Sequence, residues 1–401
     1  MSHKTMVRLT ELLGCFALAS DLASGLPLEH SLRRTVIAHW LATEADLDEV
    51  AVRDTLYVAL LGSVACVLDA AAISRFVGDE IALRGEMFEK DLANPLTALR
   101  FFSRRVAHGQ PVLRRASSLY GLASRAGAIS RDVAMRVGTM LDLSEAVEQA
   151  LGQCDEHWNG RAGVLGLKGD QIAVQARFFR LAQDIDVFHH AGGVESAVAV
   201  VTSRSGSYYD PGLVALFASR AHELDGRLAV PSLWDAVQAA EPEPARLLDW
   251  PEFDELARKI ETVIDMRSAY TVGHSPAVAT LAERAAIRLG LSAEESRVLR
   301  SAGLVHDLGR AGVPVHVWEK RDALTEQELS DMRRHPVLTE LAWPGRRAWG
   351  RWPRSRACTT NASTDPATAV RTRRRFPSAR GCSRRPMPTR PSSSLDPIVA
   401  R

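Results

Sequence analysis

Apolar residues recur along most of this chain at steps of three and four, the repeat of a helix with one buried face. The run HSLRRTVIAHWLATEADLDEVAVRDTLYVALLGSVACVLDAAAI, beginning at His30, shows it clearly, with acidic residues gathered where helices should start. Alternation with period two is rare. ESAVAVVTSR, from Glu195, is the one stretch that invites a strand. Its alanines, and its place between Gly193 and Ser205, predict a short helix instead. AAEPEPARLLDWPEFDEL carries three prolines between two helical regions and predicts a linker at 241–252. Helical patterning resumes at Phe253, runs to about Leu341, and then stops. From 342 on the text is Arg, Pro and Ser without period.

The patterning repeats. Laid without a gap, HSLRRTVIAHWLATEADLDEVAVRDTLYVALLGS (from His30) and HSPAVATLAERAAIRLGLSAEESRVLRSAGLVHD (from His274) both open on His-Ser. Both pass an acidic helix start and close in an apolar helix. The first ends in Gly62-Ser63 where the second has His306-Asp307. Two amphipathic helix pairs can resemble each other this far without common origin, so the match suggests duplication without establishing it.

Length and charge refine this outline. A chain of 401 residues suits two or three domains. The net charge of +2 hides an uneven distribution. Beyond Leu341 there are many Arg, no Lys, and only Asp365 and Asp396 as acids, so the preceding body is mildly acidic. That argues against a nucleic-acid-binding surface there. Cys15, Cys66, Cys154, Cys358 and Cys382 form no CxxC pair and read as free thiols in a reducing compartment. The N-terminal MSHKTMVRLTELLGCFALASDLASG is interrupted by Asp21 and reads as a helix, not an export signal. No run looks long enough to span a bilayer. The expected setting is cytoplasmic, with no membrane partner.

The chemistry concentrates in AYTVGHSPAVATLAERAAIRLGLSAEESRVLRSAGLVHDLGRAGVPVHVWEKRDALTEQELSDMRRHPVLTE. His274, the pair His306-Asp307, and His335 each fall at or near a helix end. Imidazole and carboxylate suit a divalent metal that must keep positions open for water and phosphate. Adjacent helical residues project about 100° apart, so a His-Asp pair can serve two neighbouring metals, the Asp bridging. His316 and the pair His189-His190 read as ordinary surface or core histidines.

YTVGH, LVHDLGR and LTEQELSDMRRHP together resemble the HD superfamily of metal-dependent phosphohydrolases, and within it the HD-GYP branch, which hydrolyses cyclic di-GMP. The resemblance implies an all-α fold of tandem HD-like bundles with a disordered C-terminal tail. It implies metal ligands at His274, His306, Asp307 and His335, a divalent Fe, Mn or Mg of unspecified identity, and catalytic roles for Asp307 and Arg310. Arg310 stands where the branch usually has a Lys thought to hold phosphate; the charge is kept and a planar fork of donors is added. The implied partner is a cyclic dinucleotide or another phosphoester.

The branch also requires a second half, with HHExxDGxGYP and then an Asp in an ADAYDA-like helix. Neither stands in the second copy. The first copy keeps a worn version in CDEHWNGRAGVLGLKGDQIAVQARFFRLAQDID. Cys154 and Asp155 occupy the His-His position, Glu156, Trp158, Asn159 and Gly160 keep the outline, and Asp184 falls at the late Asp. Having Gly62-Ser63 for HD, this copy is expected to serve packing, dimerisation or ligand sensing.

The missing motif is present out of frame. Reading each codon's third base with the next codon's first two makes CTTNASTDPAT compatible with HHERLDGSGY, and RRPMPTRP with Ala-Asp-Ala-Tyr. Upstream the shifted text is an Ala/Leu-rich helix. These matches point to a frameshift just after Leu341, genuine or a sequencing error. The competing reading is a basic, disordered nucleic-acid-binding arm, as Arg-rich tails often are; GC-rich codons read out of frame yield such Arg/Pro/Ser text without selection for binding, which favours the frameshift.

The expected layout is therefore a degenerate HD-GYP-like domain at 1–240, a linker at 241–252, a truncated HD phosphohydrolase domain at 253–341, and an out-of-frame tail at 342–401. The expected activity is phosphodiester hydrolysis, abolished or severely impaired by loss of the second ligand set. The alternative is a non-catalytic signalling or regulatory module that senses a nucleotide. Similar tandem proteins often carry a LuxR-type helix-turn-helix, and none is written here.

Overall fold

A computed structural model of the chain describes residues 7–88, 100–102, 132, 134–161 and 163–343. The tail from 344 onward, with the readings placed on it, lies outside them. Helices joined by turns and loops make up most of the described residues, and the one sheet is a two-stranded antiparallel pairing of β1 (Val7–Arg8) with β2 (Leu247–Leu248). The all-α expectation holds.

Ten helices carry the argument: α1 (Leu9–Ser24), α2 (His30–Glu44), α3 (Glu49–Leu61), α4 (Val174–Ser203), α5 (Pro211–Arg220), α6 (Trp250–Asp265), α7 (His274–Arg288), α8 (Ala293–Val305), α9 (Glu326–Arg333) and α10 (His335–Ala342). Local chemistry sets their starts. Asp48 caps α3 through Ala51 N–H at 2.8 Å. Asp249 with Glu252, Ser292 with Glu295, and Thr325 with Glu328 form capping boxes at α6, α8 and α9. Asp48 and Glu295 are among the acids expected at helix starts. The alanine-rich ESAVAVVTSR is helical, in the second segment of α4 beyond a break at Gly192–Gly193.

α1 is buried almost all round, as a helix apolar on every side must be. It packs against α2 and α3 on one side and against α10 and the 3-10 turn Leu308–Gly312 on the other. One apolar core thus runs from Leu9–Ala23 through Leu56–Leu61 to Phe253–Ile264, Leu304, Leu308 and Ala342. The proline-rich segment expected as a linker places β2 on β1, and Glu241 accepts a hydrogen bond from Tyr57 Oη at 2.8 Å. Arg267, buried beside α6, meets the fully buried Glu80 at 3.0 Å, and Val315 N–H donates to the same oxygen. A second core layer lies between α2, α4 and α5.

One sequence reading needs correction. Glu49–Val67 is long and apolar enough to cross a membrane by length and composition. The residues of its most apolar window are 67% buried inside the protein, because α3 is wedged between α1, α2 and α4.

The aligned segments are built alike. α2 and α7 both span 15 residues, α3 and α8 both 13, at one constant register. α2 and α7 are both entered through a left-handed residue, Glu29 (φ 70°) and Gly273 (φ 78°). Ser31 N–H donates to Asp21 at 3.0 Å, and Ser275 N–H donates to Asp265 at 3.2 Å. Asp21 and Asp265 occupy the same register position.

Candidate metal centre

The C-terminal helical region brings four predicted residues to one point. His274 opens α7, His306 closes α8, Asp307 starts the following 3-10 turn, and His335 opens α10. Around the carboxylate of Asp307, which is 2% exposed, stand His274 Nε2 at 3.2 Å, His306 Nε2 at 2.9 Å and His335 Nε2 at 3.5 Å. Ligand atoms of His274, His306 and Asp307 all lie within 4.8 Å of one another.

Close backbone packing makes this convergence possible. A Cβ on Gly309 would lie 2.2 Å from the His335 carbonyl oxygen and from Thr339 N, so only glycine lets the turn after Asp307 rest on α10. Thr339 Oγ1 bonds the His306 and His335 carbonyls, both at 3.0 Å, and accepts from Gly309 N–H at 2.9 Å. One hydroxyl therefore joins the two backbones that carry the two histidines. Gly303 does the equivalent for α7 and α8, where a Cβ would meet Ala279 Cα at 2.7 Å.

The histidine tautomers favour a cation. Nδ1 of His306 lies 3.0 Å from Gly303 O, and Nδ1 of His335 lies 2.7 Å from Met332 O. A carbonyl can only accept, so in the neutral ring the proton sits on Nδ1 and the Nε2 lone pair faces Asp307. Lone pairs then face a carboxylate at about hydrogen-bond distance, and Asp307 Oδ2 receives no well-aligned N–H. Either the imidazoles are protonated or a metal ion sits among them. The donor set of nitrogen and carboxylate oxygen fits a divalent first-row ion. Burial pushes the Asp307 carboxyl up, but His306, Arg310 and His335 outweigh it and hold the group below its ordinary value. Burial, followed by the Arg310 charge, lowers His274 and favours its neutral, ligating form.

Arg310 Nη2 lies 2.7 Å from Asp307 Oδ2, and its guanidinium stacks over Trp318, 5.1 Å from the ring centroid. Its Nε and Nη1 are buried without partners. The predicted phosphate-holding residue is thus tethered at the site with donors to spare. Sequence reasoning missed Trp318, which also packs edge-on against His335 with centroids 5.9 Å apart. It missed Glu261 as well, fully buried on α6. Burial, and then the charges of Asp265 and Asp307, push Glu261 well above its ordinary value. The i, i+4 spacing of Glu261 and Asp265 was the available signal, because carboxylates four apart share a helix face.

The N-terminal counterpart is built differently. His30 corresponds to His274, but its Nδ1 bonds Asp186 at 2.7 Å. Arg34, fully buried, takes the centre: its guanidinium donates to Ala59 O, Ser63 Oγ, Gln183 Oε1 and Ser31 Oγ. It stacks on Phe179 at 4.6 Å. A Cβ on Gly62, the position of His306, would lie 2.2 Å from the Phe179 ring, so no imidazole fits. Asp184, placed by sequence at the late ligand position, is held by Tyr209 Oη, Arg180 and Arg204. Glu156 accepts Leu165 N–H at 2.8 Å and Leu167 N–H at 3.0 Å, holding the loop between them. Of the histidines read as ordinary, His189 pairs with Asp225 and His316 lies against Gly78 O.

The helical scaffold and the His-Asp constellation define the class: residues 258–341 match the family described as HD domain. The chain is 28% identical over 345 residues, 83% of its length and 74% of the other's, to 3'3'-cGAMP-specific phosphodiesterase 3 of Vibrio cholerae. It superposes with a TM-score of 0.63 and 25% identity on the crystal structure of a cyclic GMP-AMP specific phosphodiesterase of V. cholerae, V-cGAP3, covering 84% of this chain and 79% of that one. Over 83 residues, 21% of each protein, it is 39% identical to the cyclic di-GMP phosphodiesterase response regulator RpfG of Xanthomonas campestris. Residues 258–341 are thus an HD domain, and the chain as a whole is similar to cyclic-dinucleotide phosphodiesterases.

Proposed function

We propose that the His274–His306–Asp307–His335 cluster is the metal half of a phosphodiesterase centre acting on a cyclic dinucleotide. We propose further that the chain as written is impaired because the second ligand set is out of frame. The observation that carries this is the convergence of three imidazole Nε2 atoms on one buried carboxylate. A divalent metal bound there would lower the pKa of a bound water and neutralise phosphoryl oxygens. The protein's own contribution is positional. Asp307 and the three imidazoles would hold the metal, the backbone carbonyls fix the imidazole tautomers, and Arg310 offers its spare N–H groups to a phosphodiester oxygen. Resemblance to the Vibrio and Xanthomonas enzymes supports 3'3'-cGAMP or cyclic di-GMP as substrate.

In this reading the two halves derive from one ancestral unit, and the N-terminal one is a non-catalytic remnant. The buried Arg34 guanidinium on Phe179 supports that reading, since it fills the place of a metal. The test is turnover of 3'3'-cGAMP and cyclic di-GMP by purified full chain loaded with Mn or Fe. A chain with one base restored after codon 341 serves as comparator. At least a 100-fold deficit is expected in the chain as written, and equal turnover would overturn the impairment.

A further inference from the structure

A buried carboxylate of the N-terminal half fastens two segments that flank the metal ligands. Glu80 opens the short helix Glu80–Phe88 and is 0% exposed. Its Oε1 accepts from Arg267 Nη2 and from Val315 N–H, both at 3.0 Å. The same guanidinium, itself buried, reaches Val67 O at 3.5 Å and Val313 O at 3.4 Å. The helix that presents Glu80 is held in turn. Arg84 donates to Ala23 O at 3.3 Å and to Cys66 O at 2.7 Å, and it pairs with Asp69. A Cβ on Gly25 would lie 2.5 Å from Ile81 O, so the end of α1 rests directly on that helix.

We infer that Glu80 is a positioning residue for the metal centre, acting through the two segments it joins. The inference rests on the metal reading of His274, His306, Asp307 and His335. Through Arg267, Glu80 holds the start of the turn that ends at His274. Glu319 steadies the same turn, accepting Ser268 Oγ–H at 2.5 Å and Ala269 N–H at 3.1 Å. Through Val315, Glu80 holds the first residue of the single helical turn Val315–Trp318. Trp318 closes that turn, with the Arg310 guanidinium over its face and His335 against it edge-on. One shared acceptor oxygen thus sets the approach of one ligand and the support of another. It can act at a distance because close-packed interiors transmit strain. What the two donors need is an acceptor oxygen in that place, which an amide supplies as well as a carboxylate.

Calorimetric Mn binding to the full chain tests this, with the melting midpoint of each variant measured alongside. Glu80→Ala removes the shared acceptor and should weaken binding about ten-fold, as loss of groups that support metal ligands commonly does. Glu80→Gln keeps the acceptor and should bind within about three-fold of the parent, although the lost charge lowers its melting midpoint. Tyr57→Phe removes a buried hydrogen bond to Glu241 elsewhere in the N-terminal half. It should lower the midpoint and leave the affinity unchanged. If Glu80→Ala does not fold, Arg267→Lys carries the test, because it keeps the charge without the fork of donors and should weaken binding likewise. A folded Glu80→Ala or Arg267→Lys variant that binds within about two-fold of the parent would overturn the inference. So would an equal loss in Glu80→Gln, or in Tyr57→Phe, since affinity would then follow charge or overall stability and not the shared acceptor. A parent chain that binds no Mn would overturn the metal reading beneath it.

Discussion

Two sites of the same build sit in this molecule, and they solve the problem of a polar centre in opposite ways. At Arg34 the centre is a fixed side-chain cation whose donors are met by neutral acceptors, two carbonyl or amide oxygens and two hydroxyls. At Asp307 the centre is a carboxylate ringed by three imidazoles, two of which turn an Nε2 lone pair towards it, a donor set suited to a cation from outside. The guanidinium supplies that site's positive charge from within the chain. The comparison teaches that helix starts and caps conserve the frame, while one residue at its centre decides whether the frame is sealed or left open.

The largest expected effect falls on the open site. Asp307→Ala should lower Mn affinity by about 100-fold or more, measured by calorimetry, since removing even supporting groups around a metal commonly costs 10–100-fold. Gly62→His with Ser63→Asp should add no second site, because Phe179 and Arg34 occupy its volume; a second bound metal by elemental analysis would break the comparison. Next comes the sealed site. Arg34→Ala should destabilise the fold by about 3–5 kcal/mol, since buried acceptors left without a donor cost about 1–3 kcal/mol each. Urea titration would show this, and a loss below about 1 kcal/mol would mean that the guanidinium is not the keystone of that half.

Gly309→Ala should cost about 1–3 kcal/mol through backbone overlap with α10 and weaken metal binding in parallel. Stability lost with full metal affinity retained would separate the close approach from the site.

The smallest effect concerns pH. Glu261 is raised above its ordinary 4.5, first by burial and then by Asp265 and Asp307, so the folded protein binds its proton more tightly than the unfolded chain does. Its contribution is therefore fully present below that ordinary value and is lost as pH rises towards the folded one. Glu261→Gln should raise the melting midpoint at pH 7–8 and lose that advantage near pH 4.5. A variant destabilised across the whole range would show that the carboxylate is needed as an ion.

Much of the C-terminal site was legible because its signals are local. Helix caps, the His-Asp pair and the glycine two residues beyond lie within a few positions of what they shape. The matching lengths and entry residues of α2–α3 and α7–α8 were legible for the same reason, being written in short text. Glu261, Trp318 and Thr339 were not, because each acts through neighbours brought close by packing. Asp186 on His30 is a similar case, with 156 positions between the partners.

The sequence alone determined the helical class, the run of helices and the four candidate ligands, since periodicity, capping and short motifs are properties of neighbouring residues. Only the tertiary structure decided that the imidazoles meet at one carboxylate, that Arg34 and Phe179 seal the twin site, and that Glu80 joins two segments flanking the ligands. Those outcomes depend on which surfaces are excluded from water together, and that is set by the packing of distant helices.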